Sequence, residues 1–283
     1  YGVSINIPTS PSLFKVTNLK KKIKFIQFDI RNKKKVKSIV DKIQPDFIFH
    51  LAAQSIVLNS ILDPTFTFET NSIGTMNILD ALRNYNKKIA VVIVTSDKCY
   101  ENIEKKAPYK ESDRLGGKDP YSASKACAEI IFKSYVDSFF LHKKNIKIST
   151  ARAGNVIGGG DWSKFRLVPD CMISAYKKRK IKIRSPNSTR PWQHVLEPLG
   201  GYLRLAEGLS LDPDPPCEAF NFGPNLTSNR SVRELVNSIL EHWSGEWHDQ
   251  SDPKALHEAN LLHLQIDKAH HQLGWRPRWD FST

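Results

Sequence analysis

Short apolar runs alternate with amphipathic helical stretches through the first half of the chain, and few folds accommodate that rhythm. Ile23-Lys24-Phe25-Ile26-Gln27-Phe28 reads as a strand ending at Asp29, followed by Val36, Ile39, Val40 and Ile43 at helical spacing. Phe47-Ile48-Phe49-His50-Leu51 is a second strand that opens into Ala52-Ala53. A helical stretch from Pro64 to Tyr85 leads to the strand Ile89 to Val94. A loop rich in Lys, Glu, Pro and Gly, a helix from Tyr121 to His142 and the strand Ile146 to Arg152 complete the series. Strands that alternate with helices predict an α/β fold, a doubly wound parallel sheet covered on both faces. Ligands of such sheets bind at the carboxyl ends of the strands.

After Arg152 the rhythm changes. Gly154 to Asp161 is glycine-rich, and Ser185-Pro186-Asn187-Ser188 is a turn signal. A helix from Leu196 to Leu209, a short strand Ala219 to Phe222 and a helix from Ser231 follow, the last with Val232, Leu235, Val236 and Ile239 on one face. The expected division is a nucleotide-binding domain from 1–156 and 190–222, with a smaller substrate-binding lobe from 157–189 and 223–283.

The formal charge of +13 raises the question of nucleic acid. Much of the excess sits in short runs, Lys20-Lys21-Lys22, Lys33-Lys34-Lys35 and Lys177-Lys178-Arg179-Lys180, spaced as exposed helix and turn positions, and no nucleic-acid motif accompanies them. The reading is a solvated surface that helps attract an anionic substrate, with no nucleic-acid and no membrane partner. No apolar run approaches the ~20 residues of a membrane span. Cys99, Cys127, Cys171 and Cys217 show no metal-ligand spacing and read as reduced thiols of a cytoplasmic protein. His50, His194 and His257 have no partner spacing either, so no metal is expected.

Chemistry concentrates in two places. Thr95-Ser96-Asp97-Lys98 stands at a strand end, and Tyr121-x-x-x-Lys125 follows a Gly/Pro-rich loop. Residues at i and i+4 share a helix face, so Tyr121 and Lys125 can enter one site. A nearby ammonium and a cationic cofactor ring favour the phenolate and make the tyrosine a usable base near neutral pH. Ser96 can hydrogen-bond a substrate hydroxyl. Asp97 and Lys98 add an acid and a second amine, more than plain alcohol oxidation requires. The alternative for each isolated motif is a solvated helix face or ordinary packing.

From about Phe25 onward the sequence resembles the extended short-chain dehydrogenases, and within them the CDP-glucose 4,6-dehydratases. The pieces that carry the likeness include Asp29-Ile30-Arg31, His50-Leu51-Ala52-Ala53-Gln54 and Phe68-Glu69-Thr70-Asn71. More specific are Ser96-Asp97-Lys98-Cys99-Tyr100-Glu101-Asn102, Ala153-Gly154-Asn155-Val156-Ile157-Gly158-Gly159-Gly160-Asp161-Trp162 and Arg190-Pro191-Trp192-Gln193-His194-Val195-Leu196-Glu197-Pro198. The resemblance implies a Rossmann-like, NAD-dependent lyase of deoxysugar and lipopolysaccharide biosynthesis, acting as a homodimer or higher homo-oligomer. In that chemistry Tyr121 takes the proton of the sugar 4-hydroxyl while hydride leaves C4. The 4-ketone acidifies the C5 proton, water leaves across C5 and C6, and hydride returns to C6.

The resemblance assigns Asp97 as the acid for the departing 6-hydroxyl. It leaves open whether Lys98 is the base at C5, directly or through water. Lys125 holds the nicotinamide ribose. Asp29 and Ile30 flank the adenine, Leu51, Ala52, Ala53 and Gln54 pass under the pyrophosphate and ribose, and Asn71 braces the active-site strands. Asn155 and Arg190 meet the substrate diphosphate, and Arg166 is a further candidate there; an arginine fork suits phosphate oxygens.

The sequence departs from this pattern at its start. No G-x-x-G-x-x-G occurs, and Gly2 is the only glycine before Gly74. The expectation is a fragment lacking one strand–helix–strand unit, ~30 residues or more, with an open sheet edge and a weakened grip on NAD. The chain also stops just after Trp279, where the family continues into a helix. Two other readings share the same residues: a sugar-nucleotide epimerase or reductase, and an inactive scaffold. The acid of Asp97-Lys98 argues against the first, and the intact Ser96, Asp97, Tyr121 and Lys125 against the second.

Overall fold

A computed structural model describes residues 1–251 and 261–283. Its first half runs β1 (Gly2–Ser4), α1 (Leu13–Val16), α2 (Leu19–Lys22), β2 (Phe25–Gln27), α3 (Lys33–Ile43), β3 (Phe47–His50), α4 (Val57–Leu62), α5 (Pro64–Phe68), α6 (Gly74–Leu82), β4 (Ile89–Val94), α7 (Pro120–Tyr135) and β5 (Ile146–Ala153). The second half adds β6 (Val156–Ile157), α8 (Leu167–Tyr176), β7 (Ile181–Ile183), β8 (Thr189–Pro191), β9 (Gln193–His194) and α9 (Leu196–Leu211). It closes with β10 (Ala219–Phe222), β11 (Asn229–Ser231), α10 (Val232–His242), β12 (Trp247–Asp249) and α11 (Asp267–Leu273).

The main sheet has the order β10-β5-β4-β3 with every pair parallel. The unbroken apolar run of β4 has a physical reason. Val91 and Ile93 pack with Val36 and Val40 of α3, Leu79 and Leu82 of α6 and Phe132 of α7. Ala90 and Val92 face the other way, onto Tyr202, Leu205 and Leu209 of α9 and Phe220 of β10. Both faces are dry, so alternation disappears from the sequence. This is the expected doubly wound α/β arrangement.

The first strand differs from expectation. The three-residue β1 precedes the segment taken as the first strand and pairs with it in parallel, Val3 opposite Ile26. A strand that short has too little alternation to read. The β1–β2 pair stays apart from the main sheet, and among the described residues no strand lies against the outer edge of β3. The open edge is therefore present. Phe47 and Phe49 beside it are 48% and 38% exposed.

The stretch from Pro64 to Tyr85 is not one α-helix. Asp63 caps α5 by accepting from the Phe66 N–H, with Pro64 in the first turn. A π-helical turn over Glu69–Ile73 then separates α5 from α6. That turn swings Asn71 and Ser72 inward, and π-turns of this kind gather at functional sites. Beyond the main sheet lie three small ladders, β6–β9, β8–β11 and β7–β12, with Cys171, Ile181, Ile183 and Val236 packed between α8, β7 and α10. A full capping box of Ser231 and Glu234 starts α10.

Candidate active site

The carboxyl ends of β3, β4 and β5 converge with the start of α7. At the end of β4 the Ser96 hydroxyl accepts from the Lys98 N–H at 3.2 Å and so caps a 3-10 turn over Asp97–Cys99. The same hydroxyl donates to Asp97 Oδ1 at 3.0 Å. Asp97 is 2% exposed, and its Oδ2 has no hydrogen-bond partner among the described residues. Burial raises its pKa, offset in part by the Lys98 charge, the Ser96 hydroxyl and the Arg190 charge. A buried carboxyl with one unsatisfied oxygen favours the protonated form. Gly154 makes the enclosure feasible: a Cβ there would stand 3.0 Å from Asp97 Oδ2 and 2.9 Å from Pro191 Cγ.

Asp119 caps α7 by accepting from the Ser122 N–H, with Pro120 behind it. Tyr121 and Lys125 then occupy successive turns, both buried. Lys125 Nζ donates to the Val94 carbonyl at 3.2 Å, which ties the helix to the end of β4. Burial lowers Lys125 to about 8, against the upward pull of Glu129. Tyr121 moves the other way, pushed up to about 12 by burial, with the Ser96 hydroxyl and the Arg166 charge drawing it down and Asp97 pushing it further up. Burial is the largest influence on the Tyr121 phenol here. Tyr121, Ser96 and Asp97 nonetheless share one cleft, each acting on another's proton.

Asn71, on the π-turn, fixes the segment after β3. Its amide donates to the Gln54 carbonyl at 2.9 Å and to Ser124 Oγ at 2.9 Å, and its oxygen accepts from the Gln54 N–H at 2.8 Å. The turn Leu51 to Gln54 is thereby locked to α7. Below it His50 lies 3.0 Å from Thr75 Oγ1, its pKa lowered to about 3 by burial.

The family description GDP-mannose 4,6 dehydratase matches residues 4–283. The chain belongs to this family. It is 40% identical to the CDP-glucose 4,6-dehydratase of Salmonella typhimurium over 99% of its own length and 80% of that protein. It is 27% identical to the dTDP-glucose 4,6-dehydratase of Streptomyces antibioticus, covering 99% of this chain and 76% of that one. Among solved structures it is similar in fold to a UDP-glucose 4-epimerase from Thermotoga maritima, with a TM-score of 0.82 at 21% identity, covering 98% of this chain and 86% of that one. A dTDP-glucose 4,6-dehydratase from Streptomyces venezuelae, solved with NAD bound, gives 0.79 at 22%, covering 95% and 79%.

Against this dehydratase-family frame the remaining expected residues fall unevenly. The Arg31 fork holds Asp29, donating from Nε at 2.9 Å and Nη2 at 2.7 Å, which keeps its carboxyl below the usual range. The Ile30 side chain is packed in the core against Gly74, and its carbonyl accepts from the Asn77 amide at 3.0 Å. Leu51 is exposed, and Ala52, Ala53 and Gln54 are half-buried. The Asn155 carbonyl accepts from Gln193 N–H at 3.3 Å. Arg190 is buried near Asp97, its guanidinium bonded to the Thr189 carbonyl at 2.8 Å. Arg166 reaches Ser55 at 2.8 Å and Asp161 at 3.1 Å.

Sequence reasoning passed over Glu129 and Arg152, which form a buried ion pair at 2.7 Å behind Lys125. The available signal was spacing: Glu129 stands one further turn along the face that carries Tyr121 and Lys125. Among the described residues no cluster of three metal-ligating side chains exists and no helix is long and apolar enough to cross a membrane. His257 lies outside the described residues.

Proposed function

We propose that the chain converts CDP-glucose to CDP-4-keto-6-deoxyglucose with NAD as an internally recycled cofactor. The observation that carries this reading is the buried carboxyl of Asp97 in the cleft of Ser96 and Tyr121, with Oδ1 held by Ser96 and Oδ2 without a hydrogen-bond partner among the described residues. An epimerase or reductase has no leaving hydroxyl to protonate and no use for such an acid. The likeness to the Salmonella enzyme supports the substrate class.

The residues present fit NAD at its two ends. Ala52 and Ala53 put small, half-buried side chains on a turn that Asn71 fixes at Gln54 and ties to Ser124, next to Lys125 in the chain. Asp29 and the Ile30 backbone suit the adenosine side. When bound, NAD supplies the hydride acceptor for C4 and the donor for C6. Tyr121 takes the 4-hydroxyl proton, its phenol drawn down by the Ser96 hydroxyl and the Arg166 charge. Ser96 orients that hydroxyl. Asp97, whose proton affinity burial raises, gives its proton to the departing 6-hydroxyl, which leaves as water as the C5 proton is removed. Lys98, one residue on, is placed to take the C5 proton directly or through water. Arg190, Arg166 and Asn155 receive the diphosphate. The product class belongs to deoxysugar and lipopolysaccharide assembly in the cytoplasm, and the working form is a homodimer or higher homo-oligomer. The domain division is 1–156 with 190–222 against 157–189 with 223–283.

The test incubates the chain with NAD and CDP-, dTDP- or UDP-glucose and reads the alkaline absorbance of a 4-keto-6-deoxy product. CDP-glucose is expected to react best. Tyr121→Phe should block oxidation, while Asp97→Asn should slow loss of water and spare the first hydride transfer. Full dehydration by Asp97→Asn would remove the basis of this reading.

A further inference from the structure

The carboxylate of Glu129 is the point where three active-site elements meet. Glu129 Oε1 accepts from Thr95 Oγ1 at 2.5 Å, and Thr95 is the residue between Val94, which holds Lys125, and Ser96. Glu129 Oε2 accepts from Thr150 Oγ1 at 2.9 Å and from Arg152 Nη2 at 2.7 Å, both on β5. Arg152 then donates to Tyr100 Oη at 2.9 Å, and Tyr100 donates to Asn221 Oδ1 on β10 at 2.7 Å. The Arg152 and Glu129 side chains are 5% and 2% exposed. An ion pair so buried offers little net stability over apolar packing of the same volume, so fold stability alone is a weak reason for it.

We infer that Glu129 is a positioning residue for the reaction: it pins the Tyr121–Lys125 face of α7 to the strand end carrying Ser96 and Asp97 and supplies the negative charge that keeps the Lys125 ammonium in place. The inference rests on the proposed roles of Tyr121 and Lys125. Groups acting electrostatically on Lys125 are Glu129 on its own helix and Cys99 in the 3-10 turn, with Lys125 in turn acting on His50 of β3; of these Glu129 is the carboxylate. Burial draws Lys125 to about 8, and Glu129 is the largest influence opposing it. Without that charge the ammonium is lost at lower pH.

The experiment follows the Lys125 ammonium directly, by NMR of isotope-labelled lysine side chains in the full chain, with Lys125→Met for assignment. It needs no turnover, so a chain inactive on CDP-glucose would sink the functional reading and leave this result standing. Glu129→Gln/Arg152→Gln removes both charges together and strands neither. Its Lys125 titration midpoint should fall below the wild-type value, whereas Glu129→Asp should restore it. A folded double variant with an unmoved midpoint overturns the inference. Thr95→Val spares both charges and is the second arm should the double variant fail to fold. It frees the strand beside the Val94 carbonyl, so ammonium protons should exchange with water several-fold faster. An unchanged exchange rate in that variant also overturns it. Where turnover is measurable, Thr95→Val should lower kcat about tenfold, equivalent to about 1.4 kcal/mol, with KM little changed.

Discussion

At the scale of single residues, burial sets the chemistry. Lys125 titrates at about 8 in the folded chain against an ordinary 10.5. Between those values the unfolded chain holds more protons, so this group makes stability rise with pH across that window. Lys125→Met removes the effect. The variant should gain roughly 3 kcal/mol relative to wild type at pH 7, shrinking toward zero by the upper end of the window, as read by urea unfolding at a series of pH values. A gain independent of pH would contradict a buried ammonium. Asp97 depends on its neighbour in the same way. Gly154→Ala places a Cβ at 3.0 Å from Asp97 Oδ2 and 2.9 Å from Pro191. Neither can retreat freely, so the variant should lose about 1–3 kcal/mol and slow dehydration more than oxidation. Single-turnover assays separate the two steps.

At the scale of elements, the π-turn between α5 and α6 is what delivers Asn71 to the turn after β3. A regular α-helix through this stretch would rotate Asn71 off the bonds it makes to Gln54 and Ser124. Asn71→Ala leaves the Gln54 backbone groups without partners, at about 1–3 kcal/mol. It should also loosen the segment Leu51 to Gln54, so the KM for NAD should rise while that for CDP-glucose changes less. Steady-state kinetics with each ligand varied in turn checks this. Equal changes in both would point to general disorder of the site instead. The helical spacing from Pro64 to Tyr85 was legible, but the extra residue of the π-turn was not, because its cause is a side chain reaching another element.

At the scale of the whole molecule, β3 carries Phe47 and Phe49 exposed, and among the described residues no strand pairs with its outer edge. Such an edge is a template for pairing with another chain. Phe47→Lys/Phe49→Lys should reduce concentration-dependent self-association in sedimentation velocity, with little change in secondary structure by circular dichroism. Association unaffected by the double substitution would place the contact elsewhere. The separate β1–β2 pair was not legible, since three residues carry no readable period.

The amino-acid sequence alone determined the α/β class, the strand–helix order around β4 and the residues Ser96, Asp97, Tyr121 and Lys125, because periodicity and motif spacing are local properties of the chain. Tertiary structure decided the direction in which the proton affinities of Asp97, Tyr121 and Lys125 shift. Desolvation and the charges of Glu129, Arg166 and Arg190 act through space, and no spacing along the chain encodes how far a group lies from water or from a neighbour brought in by another strand.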